Sequence, residues 1–358
     1  MTHRWVATQA EFDEVVDELC HQPRYAIDTE FHRERTYFPK LALVQLGWDD
    51  QIVLVDPLAV DLSSITRLFA SPSIAVFHAA HSVKAVPAHM FDTQLAAGFT
   101  GYSTPSLLSL LHAELGVAAS KGDRLTDWLR RPLTPEQQHY AAGDVAHLLE
   151  LHDRLSAKLT KLGRLTWALD ACEELRTRPT GAADPEQAWL RLKDVRVLKA
   201  RSRGVAQAVA AWRERRAAAV DVPVRQILPD LAILGISQKH PTTPAELAQA
   251  RGVEERHSRG QMGAEILAAV QDGLGREVHL PSPDGDDLER SLRPAVTLVS
   301  AWVSEVARAE RIDTALLATR SDLVSLLRGD RDARLSIGWR AELLGDGIRS
   351  LVEGRAGL

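Results

Sequence analysis

Strand-like and helical patterns are unevenly distributed along this chain, and this distribution constrains the fold more than any other feature of the sequence. Short apolar runs, partly β-branched and bounded by Pro, Gly or Asp-Asp, occur at 25–28, 41–46, 52–55 and 74–77. Helical periodicity separates and follows these runs, and beyond Leu162 strand patterns almost vanish. We therefore expect an α/β region with a mixed sheet and flanking helices, followed by all-α segments.

Two polar stretches rich in turn-forming residues predict where this chain of 358 residues divides. The first separates an α/β domain at 1–175 from a small helical bundle at 188–278, and the second separates that bundle from another at 290–358. Both C-terminal segments are rich in Ala, Leu, Arg and Glu with short Pro or Gly turns, which is typical of such bundles.

Composition excludes several classes of protein. With 45% hydrophobic and 25% charged residues, the chain is neither disordered nor fibrous. Its two cysteines, Cys20 and Cys172, are far apart, so we expect no disulfide scaffold or structural zinc site. There is no long apolar run, and the N-terminal residues are polar and acidic. We therefore expect a cytoplasmic protein with no membrane partner.

Charge differs between the two halves of the chain. Residues 1–170 hold 15 Lys and Arg against 21 Asp and Glu, whereas 171–358 hold 28 against 27. The acidic half is therefore the better place for a bound cation. Within 190–217, nine basic residues stand against two acids, a density that suits either a phosphate backbone or a solvated helix face.

Two segments of the acidic half carry candidate chemistry. Asp28 and Glu30 end the first strongly predicted strand, and side chains two residues apart point to the same face. Tyr140 and Asp144 are four residues apart in a predicted helix that starts at Thr134-Pro135, so they also share a face. Each pair can belong to a cation site. The alternatives are a solvated strand end for Asp28 and Glu30, and a tyrosine hydrogen-bonded to an aspartate on a helix surface for Tyr140 and Asp144.

These elements together resemble the ribonuclease D family of 3′–5′ exoribonucleases, which belongs to the DnaQ-like superfamily. The resemblance rests on AIDTEFHRERTYFPKLALVQL from residue 26, VFHAA at 76–80, FDTQLAAGF at 91–99 and TDWLRRPLTPEQQHYAAGDVAHLL from residue 126. Downstream, 190–278 and 290–356 resemble the HRDC helical module. The resemblance implies a ribonuclease H-like exonuclease domain followed by two HRDC-like helical domains.

The resemblance also implies roles for the four residues. Asp28, Glu30 and Asp144 would be metal ligands, Asp28 bridging two ions, and Tyr140 would orient the attacking water. Two divalent ions promote in-line hydrolysis of a phosphodiester by generating hydroxide and stabilising the leaving 3′ oxygen. Oxygen ligands of this kind favour Mg²⁺ or Mn²⁺.

The second exonuclease motif departs from the family pattern. Val83 occupies the position of the expected aspartate, the segment is short, and residues 62–91 contain no Asp or Glu. Loss of a carboxylate lowers the affinity of a site for the cation that this carboxylate holds. We therefore do not expect the second ion to be bound as in the family pattern. Asp92 or His81 could substitute, although a helix cap is the alternative interpretation of Asp92.

The sequence therefore predicts an exoribonuclease that acts on RNA 3′ ends, by resemblance tRNA precursors, with activity impaired or altered at the second motif. The alternatives are a catalytically inactive RNA-binding protein on a degenerate nuclease fold and a 3′–5′ DNA exonuclease. A monomer fits the family pattern. The phosphate contacts predicted in the helical region are those of Arg201, Arg203, Arg213 and Arg215.

Overall fold

In the computed structural model of the protein, the described residues are 2–32, 34–80, 86–118, 126–178, 184–280, 292–330, 332–352 and 355. The chain forms two compact units. The first comprises Met1–Glu30, Leu41–Pro179 and Ser282–Leu358, and the second comprises Phe31–Lys40 and Thr180–Pro281.

A mixed six-stranded sheet is formed by the described strands, in the order β1-β4-β3-β2-β5-β6. Strand β4 pairs in parallel with β1 and antiparallel with β3, while β5 pairs in parallel with both β2 and β6. The strands are β1 (Arg4–Val6), β2 (Arg24–His32), β3 (Lys40–Trp48), β4 (Gln51–Val55), β5 (Ile74–Phe77) and β6 (Met90–Asp92).

Helices cover both faces of this sheet. Those in the first half of the chain are α1 (Gln9–Cys20), α2 (Ile65–Ala70), α3 (Thr93–Gly98), α4 (Leu107–Leu115), α5 (Pro135–Ala146), α6 (Leu148–Lys161) and α7 (Leu165–Thr177). Phe12 and Leu19 of α1 are buried with Ile27 and Leu46 on one face. The opposite face is covered by α5 and α6.

The predicted fold class is confirmed, and the four predicted strands lie within β2, β3, β4 and β5. Two details differ from the expected pattern. The helix expected to run from Pro135 to Leu162 breaks at His147, whose φ of −116° is not helical. Strands β1 and β6 were not expected, because a three-residue strand is too short to show an alternating pattern.

The C-terminal helices share a hydrophobic core with the helices that flank the sheet. Trp339 stacks on Trp167 at 5.4 Å and meets Phe99 edge-on at 5.0 Å. Arg340, 1% exposed, donates from Nη1 to Glu174 at 2.5 Å. Because aromatic and ionic contacts join these segments, the C-terminal helices belong to the first unit, and the three-domain division stays a prediction. They are α14 (Leu292–Glu310), α15 (Thr314–Leu317), α16 (Arg320–Leu327), α17 (Gly338–Arg340) and α18 (Asp346–Val352).

The second unit is a helical bundle built around one long helix. This helix, α8, packs against several other helices of the unit and against a 3₁₀ turn at Pro185–Arg191, with Trp189 fully buried. The helices are α8 (Ala200–Val220), α9 (Val224–Ile227), α10 (Asp230–Lys239), α11 (Pro244–Ala248), α12 (Glu255–Ser258) and α13 (Gly260–Leu274). Across the described parts of both units, none of the helices is both long and apolar enough to span a membrane.

Candidate active site

Strand β2 presents Asp28 and Glu30 to the sheet face that α5 covers. Ala26 packs with residues of α5 and α6, whereas Ile27 packs on the α1 face. Because side chains alternate along a strand, Asp28 and Glu30 share the face of Ala26. The structure thus has the two carboxylates on one face of the strand, as their spacing predicts, and both are partly buried.

Helix α5 presents Tyr140 and Asp144 to the same region. It begins as predicted: Thr134 accepts from the backbone N–H of Gln137 in a capping box, and proline occupies the first helical position. Buried Ala141 and Ala142 have almost no side chain, so the helix packs closely on the sheet. The structure thus brings all four predicted site residues to one place.

Electrostatic interactions link the three carboxylates. Burial raises the pKa of Asp28 to about 6, despite the backbone N–H of Thr29, which lowers it. Burial, and then the charge of Asp28, raise the pKa of Glu30 to about 8. Burial, followed by the charges of Asp28 and Glu30, raises the pKa of Asp144 to about 8. Each group therefore resists ionisation as long as no cation compensates the charge.

Tyr140 belongs to the same electrostatic group. Burial raises the pKa of its phenol, and the charges of Asp144, Glu30 and Asp28 raise it further, as does the hydrogen-bonding interaction with Asp144. The ring also lies against Trp128, with 6.1 Å between centroids. The hydroxyl consequently keeps its proton at neutral pH and acts as a hydrogen-bond donor facing Asp144.

The three carboxylates do not form a compact ligand cage. Among the described residues, no group of three or more His, Cys, Asp or Glu side chains is arranged closely enough to hold a metal ion. Their chemistry nonetheless fits a divalent cation, because hard cations prefer carboxylate oxygens and buried like charges require compensation. Their assignment as ligands stays a prediction.

A cavity of about 220 Å³ opens beside Tyr140 and Asp144 between α4 and α5. Leu107 and Leu111 line one wall, and His139 and Gly143 of α5 line the other. Neither residue of α5 was among the predicted site residues. The four-residue spacing of His139, Gly143 and His147 places them on one face of the helix, and this spacing was the sequence signal for the cavity wall. The cavity is large enough to admit part of a nucleotide but apolar on the α4 side.

Asp92, the suggested substitute ligand, serves as a backbone anchor. It is fully buried, and its Oδ1 caps α3 by accepting from Gln94 N at 2.8 Å and Leu95 N at 3.1 Å. Ala79 N and Ala80 N donate to Oδ1 and Oδ2 at 3.2 and 2.8 Å. Both oxygens are thus engaged, which supports the capping interpretation. Val83 and His81 lie outside the described residues.

Four arginines were predicted to contact phosphates, and for Arg213 this prediction is wrong. It is 3% exposed and donates to Asp230 Oδ1 at 2.6 Å and to the Leu228 carbonyl at 2.9 Å. Because its charge is buried and paired, it is not available to a phosphate.

The other three lie nearer the surface. Arg201 is exposed, Arg203 is half-buried and donates to the Leu198 carbonyl, and Arg215 is exposed and pairs with Glu186 at 2.8 Å.

Comparisons with known proteins agree with this architecture. A family described as 3′-5′ exonuclease matches residues 3–160, and the HRDC domain family matches residues 202–270. Ribonuclease D of Nitrobacter hamburgensis is 35% identical over 99% of this chain and 96% of its own length. Ribonuclease D of Granulibacter bethesdensis is 36% identical over 94% of this chain and 89% of its own.

A solved structure gives the same result in three dimensions. The crystal structure of Escherichia coli RNase D, described as an exoribonuclease involved in structured RNA processing, superimposes with a TM-score of 0.84. The match covers 100% of both chains at 28% identity. The chain therefore belongs to the ribonuclease D family and is a 3′–5′ exoribonuclease.

Proposed function

We propose that the active site of this exoribonuclease is formed by Asp28, Glu30, Asp144 and Tyr140, with the three carboxylates as ligands of Mg²⁺ or Mn²⁺. The observation that carries the proposal is that β2 and α5 bring three partly buried carboxylates together, with the charge of Asp28 acting on both Glu30 and Asp144. A cluster of this kind is costly without a cation and becomes favourable with one.

The bound cation would activate the attacking water and stabilise charge on the leaving 3′ oxygen. Tyr140 holds its proton at Oη, so its hydroxyl would orient the attacking water through a hydrogen bond and would not serve as a base at neutral pH. The cavity beside it provides space for part of the terminal nucleotide of the substrate. The product of each cycle is a chain shortened by one nucleotide at its 3′ end.

We further propose that the second ion of the family pattern is held weakly, so that the activity is reduced or depends on Mn²⁺. Val83 supplies no oxygen where the family has a carboxylate. Asp92 cannot turn towards an ion without releasing backbone N–H groups of α3 and of the turn after β5. Both features lower the charge and the number of oxygen ligands available to a second ion.

The substrate that we propose is structured RNA with a free 3′ end, in particular tRNA precursors. The second unit supports an RNA contact through exposed basic residues at the start of α8. Arg201 is joined there by Lys193, Arg196 and Lys199, all exposed. A cluster of this kind fits a phosphate backbone whatever its sequence.

We also propose that the protein acts in the cytoplasm as a monomer. Both of its cysteines are free thiols, which suits a reducing compartment. Light scattering on the purified protein tests the monomer, and tagged protein in fractionated cells tests the compartment.

The first experiment is a time course on 5′-labelled single-stranded RNA with Mg²⁺, Mn²⁺ or EDTA, comparing wild type with Asp28→Asn. Asp50→Asn is the matched control, because Asp50 is an exposed carboxylate in the turn after β3. We expect metal-dependent stepwise shortening that Asp28→Asn abolishes and Asp50→Asn retains. If Asp28→Asn shortens RNA at the wild-type rate, Asp28 does not belong to the active site. A DNA strand of the same sequence, run in parallel, tests whether the enzyme prefers ribose or deoxyribose.

A further inference from the structure

Gln45 is a buried polar residue that the fold leaves without a partner. It lies in β3, the third strand along the sheet, and is 0% exposed. Neither its Nε2 nor its Oε1 forms a hydrogen bond among the described residues. Leaving both ends of an amide unpaired inside a core is unfavourable, so such a group calls for a specific explanation.

The strand pattern places Gln45 on the same sheet face as the candidate active site. Its neighbours Val44 and Leu46 belong to the core on the α1 face. Leu43, two residues away, packs with Ala141 and Ala142 of α5. Because side chains alternate, the amide of Gln45 points to the sheet face that α5 covers. Asp28 lies on that same face of the sheet, and Asp144 belongs to α5.

The register between β2 and β3 places Gln45 beside Asp28. A methyl group added at Gly47 would lie 3.5 Å from Cβ of Ala26, so these two residues are side by side. The strands are neighbours joined by a short loop and therefore run in opposite directions. Moving two residues back along β3 and two residues forward along β2 places Gln45 beside Asp28. Cross-strand neighbours have Cβ atoms about 5 Å apart, within reach of a glutamine amide.

Most of the described residues that pack around Gln45 are apolar. Its partner in the register with β4 is Leu54, which is fully buried. On the α5 side, Ala141, Ala142 and Val145 are buried against the sheet, and the ring of Tyr140 packs beside the same cluster. Asp28 is the polar side chain that the strand register places beside the Gln45 amide.

We propose that Gln45 is a positioning residue for Asp28, whose carboxylate accepts a hydrogen bond from the Gln45 amide when a divalent cation is bound. An N–H donor stabilises the ionised carboxylate, fixes which oxygen faces the cation and satisfies a buried amide. The inference rests on the proposed role of Asp28 as a ligand. It explains why a central strand keeps a glutamine where an apolar residue would pack without an unpaired amide.

The test uses Gln45→Met, which preserves the length of the side chain and removes both polar atoms. Mn²⁺ affinity is measured by titration calorimetry, thermal unfolding is measured in EDTA, and RNA shortening is measured last. We expect Mn²⁺ binding to weaken about tenfold while the unfolding temperature in EDTA is unchanged or raised. Gln51→Met, on the exposed start of β4, is the control and should bind Mn²⁺ as wild type does.

Asp28→Asn separates failure of this inference from failure of the proposed site. If Asp28→Asn loses Mn²⁺ binding but Gln45→Met retains wild-type affinity, Gln45 is a structural residue only and the inference is overturned. If Asp28→Asn retains wild-type affinity, the proposed site is wrong and the inference falls with it. Should Gln45→Met not fold, Gln45→Asn withdraws the amide by one methylene group; weaker Mn²⁺ binding supports the inference, and unchanged binding overturns it.

Discussion

Arg131 holds Asp56 through two parallel hydrogen bonds, from Nε to Oδ2 at 2.7 Å and from Nη2 to Oδ1 at 2.7 Å. The same guanidinium donates to the carbonyls of Ala42 and Trp128, both at 2.7 Å. It thereby joins the segment that leads into α5 to the first part of β3 and to the residue that follows β4. The position of the helix that carries Tyr140 and Asp144 thus depends on one arginine outside the site.

Arg131→Lys should destabilise the protein, because an ammonium cannot form the paired hydrogen bonds of a guanidinium. We expect a loss of about 1–3 kcal/mol in the free energy of unfolding, measured in urea. Burial raises the pKa of Asp56, but the hydrogen bond and charge of Arg131 and the N–H of Leu58 outweigh it, so the pKa is lowered overall.

The sign of the pH dependence follows from that lowered pKa. The stabilisation by the pair is present above the unfolded pKa of about 4 and is lost as pH falls through the folded value. Wild type and Arg131→Lys should therefore converge in stability in acid. A constant difference from pH 7 to pH 2 would contradict this account of the pair.

Tyr140→Phe should lower kcat by roughly 10²-fold while leaving KM and the unfolding temperature nearly unchanged. The ring keeps its contact with Trp128, whereas the hydroxyl that faces Asp144 is lost. Single-turnover cleavage of labelled RNA measures the chemical step directly. A raised KM with unchanged kcat would show instead that the hydroxyl contributes only to substrate binding.

Removal of metal should make stability fall as pH rises. The pKa of Asp144 is raised to about 8, above its unfolded value. The stability contributed by its protonated form is therefore fully present below about pH 4 and is lost as pH rises through 8. In EDTA at pH 9, Asp144→Asn should exceed wild type in unfolding free energy by at least about 1 kcal/mol.

Thermal unfolding between pH 5 and 9 measures this effect. The exposed-site variant Asp50→Asn should follow wild type throughout. Saturating Mg²⁺ should reverse the order of wild type and Asp144→Asn, because only wild type has the full set of carboxylates. Parallel curves for all three proteins in EDTA would mean that Asp144 is not destabilised by burial.

Sequence patterns predicted the parts of this protein that depend on neighbouring residues. Short apolar, partly β-branched runs predicted β2 to β5, and the Thr134-Pro135 signal predicted where α5 begins. What they missed depends on contacts between distant residues. The burial of Arg213 requires Asp230 at the start of α10, seventeen residues away. The contact of Asp92 with the turn after β5, which goes beyond the predicted cap, requires the N–H of Ala80, twelve residues away. Spacing contains no information on such partners.

Arg201→Glu should weaken RNA binding and reduce the slope of log affinity against log salt by about 1–2. Arg201 is exposed, so reversing its charge removes one phosphate contact and adds a repulsion. Arg308→Glu, a matched reversal on exposed α14, should have little effect. Arg213→Glu should instead unfold the bundle, because it buries a second negative charge beside Asp230. An unaltered salt slope for Arg201→Glu would place the RNA elsewhere.

Val83→Asp should increase Mg²⁺-dependent shortening of RNA, roughly tenfold or more, which corresponds to at least about 1.4 kcal/mol of transition-state stabilisation. The substitution restores a carboxylate at the position where the family pattern has one, and it thereby adds charge and oxygen ligands for a second ion. Val83→Asn is the matched control, because it has the same shape without the charge and should leave the Mg²⁺ rate low. The ratio of Mg²⁺ to Mn²⁺ rates measures the effect independently of enzyme concentration. An equal ratio in wild type and both variants would show that the shortened segment cannot present a side chain to the site, and that the chain works with the three carboxylates of β2 and α5.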